Sequence, residues 1–278
     1  MRIRIWGARG SFPVSGASYM KTGGETCCVE IRTGETLIVM DAGTGIRELG
    51  NRLLREKNRH IHLIMTHAHW DHVIGFPFFR PLTRRGTRLD IHAPRLMGTP
   101  FQTVLEDFIK PPYFPIPLSD IKAVLRFHDL DGTPFQIGSL IVDPIPLNHP
   151  NGALGYRFSE RGKTFVFLTD NELGVPCQAV RSFEEPPLFL HRADLLIHDA
   201  MYTPKEYERM KGWGHSSYRD ALELVIRSDV RRLGLFHHHP DRTDMELDEI
   251  LADCLNVIRK AHSDLDCFVS RQGMEIHL

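Results

Sequence analysis

The sequence predicts an α/β or α+β fold of packed layers, and three observations carry that prediction. Short β-type runs recur through the first two thirds of the chain, amphipathic helical periodicity appears near its end, and apolar runs repeatedly finish on a residue type that binds metals. The 278 residues are 42% hydrophobic and 25% charged, enough for a sizeable core. No Ser/Gly-rich linker, low-complexity tract or long charge run divides them, so one domain over 1–278 is expected.

Taken in order, the β-type runs are 2–6, 28–32, 37–40, 61–66, 121–127, 140–146, 154–158, 164–168, 195–198 and 233–236. Each is short and rich in β-branched, leucine or aromatic residues. A first helix is expected over about 46–57, after Gly43, with Leu49, Leu53 and Leu54 inward, and a second over about 217–227, with Ala221, Leu222, Val225 and Ile226 on one face. The last is the clearest. Leu247, Ile250, Leu251, Cys254, Leu255 and Ile258 share a helical face, and Thr243 with Glu246 three residues on is a capping-box start. The proline-rich stretch 111–117 is full of apolar residues and reads as a packed loop.

Composition removes several function classes. The 34 Lys+Arg and 35 Asp+Glu give a formal net charge of −1, which argues against a broad basic surface for long nucleic acids. No run approaches the roughly 18 apolar residues of a membrane span, and the opening MRIRIWGARG lacks the apolar stretch of a secretory signal, so a cytoplasmic protein is expected. The 5 cysteines, Cys27, Cys28, Cys177, Cys254 and Cys267, are odd in number, two of them adjacent, and are expected as free thiols. They lack the C-x2-C spacing of a structural zinc site, so a metal here must be held by carboxylates and some of the 16 histidines.

One pattern organises the chemistry. The runs lead, in turn, to Asp41, His67, His149, Asp170, His198-Asp199 and His237. If these strands lie side by side, their ends converge on one place, held by rigid backbone. The strongest local signal is Thr66-His67-Ala68-His69-Trp70-Asp71-His72: its imidazoles and carboxylate cannot all fit one tetrahedral ion, but can serve two. Imidazole with carboxylate suits zinc, with manganese and iron as alternatives, and two such ions about 3.5–4 Å apart can hold a bridging hydroxide.

Asp41-Ala42-Gly43, the His67-x-His69-x-Asp71-His72 string, His149, Asp170 and His237 resemble, in order and approximate spacing, the five motifs of the metallo-β-lactamase superfamily. The flanking Trp6-Gly7-x-Arg9-Gly10-Ser11-x-Pro13, Gly75-Phe76-Pro77-Phe78-Phe79, Gly214-His215-Ser216-Ser217 and Phe236-His237-His238-x-Pro240 look like its ribonuclease Z and cyclic phosphodiesterase branch. The resemblance implies a four-layer αββα sandwich with the site at one edge between two sheets. It also implies His67, His69 and His149 on one metal, Asp71, His72 and His237 on a second, and Asp170 bridging. Asp41 then orients a ligand imidazole from behind. His239 is the alternative to His237, which the Phe-His-His-x-Pro string favours; His238 and His239 are read as loop or supporting residues.

In ribonuclease Z a carboxylate matched by Asp199 pairs with the histidine matched by His215, and the pair protonates the leaving oxygen. Here the acid is Asp where that family has Glu, one methylene shorter. Ser216 and Ser217, before an expected helix, are candidate phosphate contacts or simply the helix cap. His198 is read as a structural strand residue. His60, His62, His92, His128, His191, His262 and His277 lack a companion at ligand spacing and are read as structural or exposed. Cys27 and Cys28 are read as buried small hydrophobes. Trp70 either walls the site or packs under the loop, and Phe76, Phe78, Phe79, Tyr113 and Phe114 are either core or an apolar wall for a base or sugar.

The function expected is therefore a metal-dependent hydrolase with two divalent ions, read as a phosphodiesterase for a small cyclic phosphate or nucleotide. A metal-bridging hydroxide would attack, Asp71 would also orient or deprotonate it, and His215 with Asp199 would assist the leaving group. The first alternative is ribonuclease Z-type RNA processing. Those enzymes carry a long basic arm between the positions matched by Asp170 and His215, whereas 171–214 reads as a helix, a strand and a short helix with no Gly/Lys-rich extension. Carboxyl-ester, lactone or thioester hydrolysis would use the same metals, but the Gly-His-Ser-Ser string and Asp199 argue against it. A non-enzymatic metal-binding protein is disfavoured by the complete ligand set. The resemblance implies a homodimer, although the sequence points to no interface patch, and neither the natural substrate nor the native metal is legible.

Overall fold

In the computed structural model, which describes residues 1–56, 58–173 and 189–278, the β-type runs pair into two seven-stranded sheets. The strands are β1 (Arg2–Gly7), β2 (Cys28–Thr33), β3 (Thr36–Met40), β4 (His60–Ile64), β5 (Arg88–Pro94), β6 (Val124–Leu130), β7 (Phe135–Ile137), β8 (Leu140–Leu147), β9 (Ala153–Glu160), β10 (Lys163–Leu168), β11 (Leu195–Asp199), β12 (Arg232–Phe236), β13 (Asp266–Val269) and β14 (Glu275–His277). The first sheet has the order β14-β1-β2-β3-β4-β5-β6 and the second β13-β12-β11-β10-β9-β8-β7. Cys177 and the helix expected early in 171–214 fall on or within 174–188, and with Lys57, the last residue of the expected first helix, lie outside the described residues.

The strand composition explains the layering. Ile3, Ile5, Ile31, Ile38 and Ile64 of the first sheet face Val142, Tyr156, Phe158, Phe165, Phe167 and Phe236 of the second, forming the middle layer. On the outer side of the first sheet, α1 (Ile46–Leu53) lays Ile46, Leu49 and Leu53 in one cluster with Leu37, Val39 and Leu63. Beyond the second sheet, α3 (Tyr218–Ile226) and α4 (Asp244–Lys260) bring Leu222, Val225, Leu247, Ile250 and Cys254 together with Val166, Leu196, Leu233 and Leu235. The architecture is αββα. Among the described residues, no helix is long and apolar enough to cross a membrane.

Strand direction positions the site. β3 and β4 are parallel neighbours, as are β10, β11 and β12. β8 is antiparallel to β9 and β9 to β10, so β8 runs with β10. The carboxyl ends that the sequence supplies with ligand residues therefore emerge at one edge, where open α/β sheets commonly place ligands.

Local differences from expectation have local causes. The strand expected over 121–127 starts at Val124, because the amides of Lys122 and Ala123 both bond the Leu82 carbonyl. The helix expected over 46–57 ends at Leu53, where the amides of Arg55 and Glu56 tighten onto carbonyls three residues back. β5 escaped detection because Asp90 and His92 occupy one face of it. The capping box of Thr243 and Glu246 forms, with the Glu246 amide donating to Thr243 Oγ1.

Candidate active site

The chain enters the edge through residues that end strands. Asp41 follows β3, Asp170 lies two residues past β10 and His237 follows β12, and all three hold a left-handed backbone, at φ 57°, 51° and 58°. L-residues adopt this conformation at a cost, so the surrounding structure must impose it. His67 and His69 lie in the loop after β4, while Asp71 and His72 fall in the single turn α2 (Trp70–Val73). His149 follows β8.

Folding brings these side chains into two overlapping groups. His67, His69, His149 and Asp170 form one, and Asp71, His72, His237 and Asp170 the other, with the candidate ligand atoms of each group lying within 4.8 Å of one another. Asp170 Oδ1 is 3.7 Å from His67 Nε2 and 3.6 Å from His149 Nε2, whereas its Oδ2 is 3.1 Å from His72 Nε2 and 3.3 Å from His237 Nε2. One carboxylate thus divides its two oxygens between the groups. Asp71 Oδ2 completes the second, 3.1 Å from His237 Nε2 and 3.3 Å from His72 Nε2.

The rings are oriented from behind. His72 Nδ1 donates to Asp41 Oδ2 at 2.9 Å, and Asp41 also accepts from the Thr66 amide, the Thr66 hydroxyl and the Cys27 thiol. His149 Nδ1 donates to the Gly214 carbonyl at 2.9 Å. Both contacts aim Nε2 at the cluster, where a bound cation would take it as a lone-pair donor. The Nε2 atoms of His67 and His72 are buried without a hydrogen-bond partner. Buried imidazole nitrogens converging on shared carboxylates are the donor chemistry of a divalent-metal centre, so the residues present fit such ions.

The electrostatics divide the rings: burial would lower His72, but the charges of Asp170 and Asp71 hold it well above its ordinary value. Burial pushes His67 well down, so its ring stays neutral. Burial alone would raise Asp170 and Asp71, but His237 and His72 beside Asp170, and His72 beside Asp71, hold both acids well below the usual carboxylate range. Two buried, ionised acids among imidazoles make a preformed cation trap.

Next to this cluster, His215 Nδ1 lies 2.7 Å from Asp199 Oδ2 and 4.0 Å from Asp170 Oδ1. Burial lowers His215, but the charge and hydrogen bond of Asp199 more than offset it, leaving the imidazole raised to about 9. The shorter Asp side chain does reach. Its other oxygen accepts from the amides of Met201 and Ser216.

The two serines are engaged by hydrogen bonds within the fold. Ser217 caps α3, accepting from the Asp220 amide, and Ser216 Oγ donates to the Asn171 carbonyl while accepting from the Leu173 amide. Both are buried. His198 is held by Asn171 and by its donation to the Asp199 carbonyl. His238 donates to the Ser270 carbonyl, and His239 lies outside both groups, leaving His237 as the residue within reach. Cys27 and Cys28 are buried as expected, although Cys27 also donates to Asp41.

Sequence reasoning missed Glu172. Its carboxylate accepts from the amides of Gly212 and Gly214 and from the Tyr207 hydroxyl, fixing the turn that carries His215. Only its position beside Asp170 could have signalled this. Missed too was that His60, His62, His92 and His128, read as lacking companions, gather around Asp90 and one another. Of the aromatic residues, Phe76 and Phe79 are core, whereas Trp70 is 72% exposed. With Phe78, Phe108, Tyr113 and Phe114, Trp70 lines an apolar hollow of about 610 Å³.

The family model for the beta-lactamase superfamily domain matches residues 36–238. Ribonuclease Z of Parabacteroides distasonis is 25% identical, the match covering 76% of this chain and 82% of that protein. Among solved structures, the metallo-beta-lactamase fold protein YhfI from Bacillus subtilis superposes with a TM-score of 0.71 at 14% identity, covering 99% of this chain and 98% of that one. A diphosphatase from the PhnP family gives 0.69 at 18% identity, covering 100% and 97%. These two structural likenesses speak to the fold.

Proposed function

The chain belongs to the beta-lactamase superfamily, and from that premise we propose that it is a binuclear metal-dependent phosphodiesterase acting on a small cyclic phosphate or nucleotide. The observation that carries this reading is the division of Asp170 between two donor groups beside a charged His215. In it, His67, His69, His149 and Asp170 hold one divalent ion and Asp71, His72, His237 and Asp170 the other, zinc being the best match to the donor set. When bound, such a pair supplies positive charge to phosphate oxygens and activates water at neutral pH.

The chain's own groups do the rest. Asp71, fixed by the Ser11 amide at 2.7 Å, orients the attacking water as well as holding metal. Asp199 keeps the proton on His215 Nδ1, so Nε2–H can be given to the departing alkoxide. Asp41 and the Gly214 carbonyl lock the tautomers of His72 and His149 before substrate arrives. Trp70, Phe78 and Tyr113 offer a face on which a base or sugar can stack.

A proton donor at His215 has little to offer thioester cleavage, whose thiolate leaves readily as an anion, whereas alkoxides leaving an ester, a lactone or a phosphodiester all need one, so turnover of an ester or lactone beside the diesters separates those readings. A second reading, ribonuclease Z-type RNA cleavage, is favoured by the similarity to ribonuclease Z. Against it stands the sequence interval 171–214, which carries no Gly/Lys-rich extension, on a chain of net charge −1. Turnover of bis-p-nitrophenyl phosphate and cyclic nucleotides, compared with cleavage of a precursor transfer RNA, tests the choice. Fast hydrolysis of the small diesters with intact RNA supports the first reading; the reverse order supports the second.

A further inference from the structure

We propose that His60, His62 and Asp90 form an additional site for a divalent transition metal of the zinc class, with His92 and His128 beside it as supporting donors. His60 and His62 alternate on one face of β4, and register sets His62 against Asp90 on β5 and His92 against His128 on β6. One ligand atom from each of His60, His62 and Asp90 lies within 4.8 Å of the others. His60 opens β4, whereas the first centre lies beyond that strand's carboxyl end, so the two are separate places in the fold.

The spacing suits an ion. His62 Nδ1 and His92 Nε2 stand 3.2 Å apart, and nitrogens bound at about 2.0–2.1 Å to a tetrahedral zinc are about 3.3 Å from each other. Burial lowers His62 to about 4 and His92 to about 3, so both rings are neutral and one of the two facing nitrogens already presents a lone pair. Asp90, 1% exposed, takes His60 Nε2 on one oxygen and His128 Nε2, at 3.0 Å, on the other. Arg88 also pairs with both oxygens of Asp90, its Nη2 donating to Oδ1 at 3.1 Å and its Nε standing 2.8 Å from Oδ2. Its side chain is 42% exposed and can swing to solvent when a cation supplies the positive charge in its stead. His60 and His128 are exposed, which leaves the cluster open to an arriving ion. Such polar crowding beside an inter-sheet layer is otherwise costly, and an ion bridging β4 and β5 would clip the outer half of the first sheet.

The test is a count of ions. Chelator-stripped full-length protein, equilibrated with zinc(II) alone, is analysed for metal per chain alongside His60→Gln and His62→Gln. Wild type is expected to bind one ion more than either variant and to show a zinc-dependent rise in Tm that both variants lose in part, while both retain hydrolytic turnover. Equal ion counts in wild type and both variants overturn the proposal. His62 is half-buried and its replacement can disturb packing; His60 is exposed, so its variant decides if circular dichroism shows His62→Gln misfolded. Because the readout is a difference between proteins that share the first centre, it stands whether or not that centre is a phosphodiesterase.

Discussion

His215 Nδ1 sits 2.7 Å from Asp199 Oδ2, and this contact gives a buried imidazole a charge that burial alone would remove. Replacing His215 by Ala should lower phosphodiester kcat by about 10²–10⁴-fold, the usual range for one general acid, with metal content unchanged. Unchanged turnover would remove His215 from the mechanism.

The same pair sets a pH limit. A pKa raised to about 9 keeps His215 protonated through neutral pH, and the proton it donates is lost as pH rises through that value. In Asp199→Asn the burial remains and the opposing charge goes, so the basic limb of the kcat profile should move to lower pH. A limb that stays in place assigns it to another group.

Asp41 touches no other acid of the cluster and orients His72 by a 2.9 Å hydrogen bond. Asp41→Asn should weaken metal affinity by about 10–100-fold, measured by competition with a chromophoric chelator, with the chain still folded. Full-strength binding would mean that Thr66 and Cys27 suffice to hold the ring.

Gly214 has φ +88°, and a Cβ there would lie 2.2 Å from His149 Nδ1. Gly214→Ala should cost on the order of 1–3 kcal/mol in thermal unfolding and also weaken metal binding, because His149 would have to move. A variant with wild-type Tm and metal content would show that the turn can yield.

Trp70, between His69 and Asp71 in the chain, is 72% exposed and shares its hollow with Phe78, 56% exposed. Trp70→Ala should raise KM for a cyclic nucleotide by roughly tenfold, the scale of one base stack, and change KM for a cyclic phosphate that carries no aromatic group much less. Equal effects on both substrates would make the hollow a packing feature.

What the sequence could reveal depended on how local each signal was. His67, His69, Asp71 and His72 are legible because they lie within one turn of chain, and the layering because apolar runs keep their period. His149, Asp170 and His237 belong to other strands, and only resemblance to a known pattern linked them in advance. The gathering of His60, His62, Asp90, His92 and His128 was illegible for the same reason: companionship across β4, β5 and β6 is a matter of register. The alternation His60-x-His62 was the one clue present. Glu172 was hidden because the amides it accepts from, those of Gly212 and Gly214, lie 40 and 42 residues away along the chain.

The left-handed turns at Asp41, Asp170 and His237 also bear on how this protein can change. Glycine would relax each corner yet delete the group that the corner exists to aim. Substitutions that toughen the apoprotein are therefore to be sought in its apolar layers, while every easing of these three bends trades away reactivity for heat resistance.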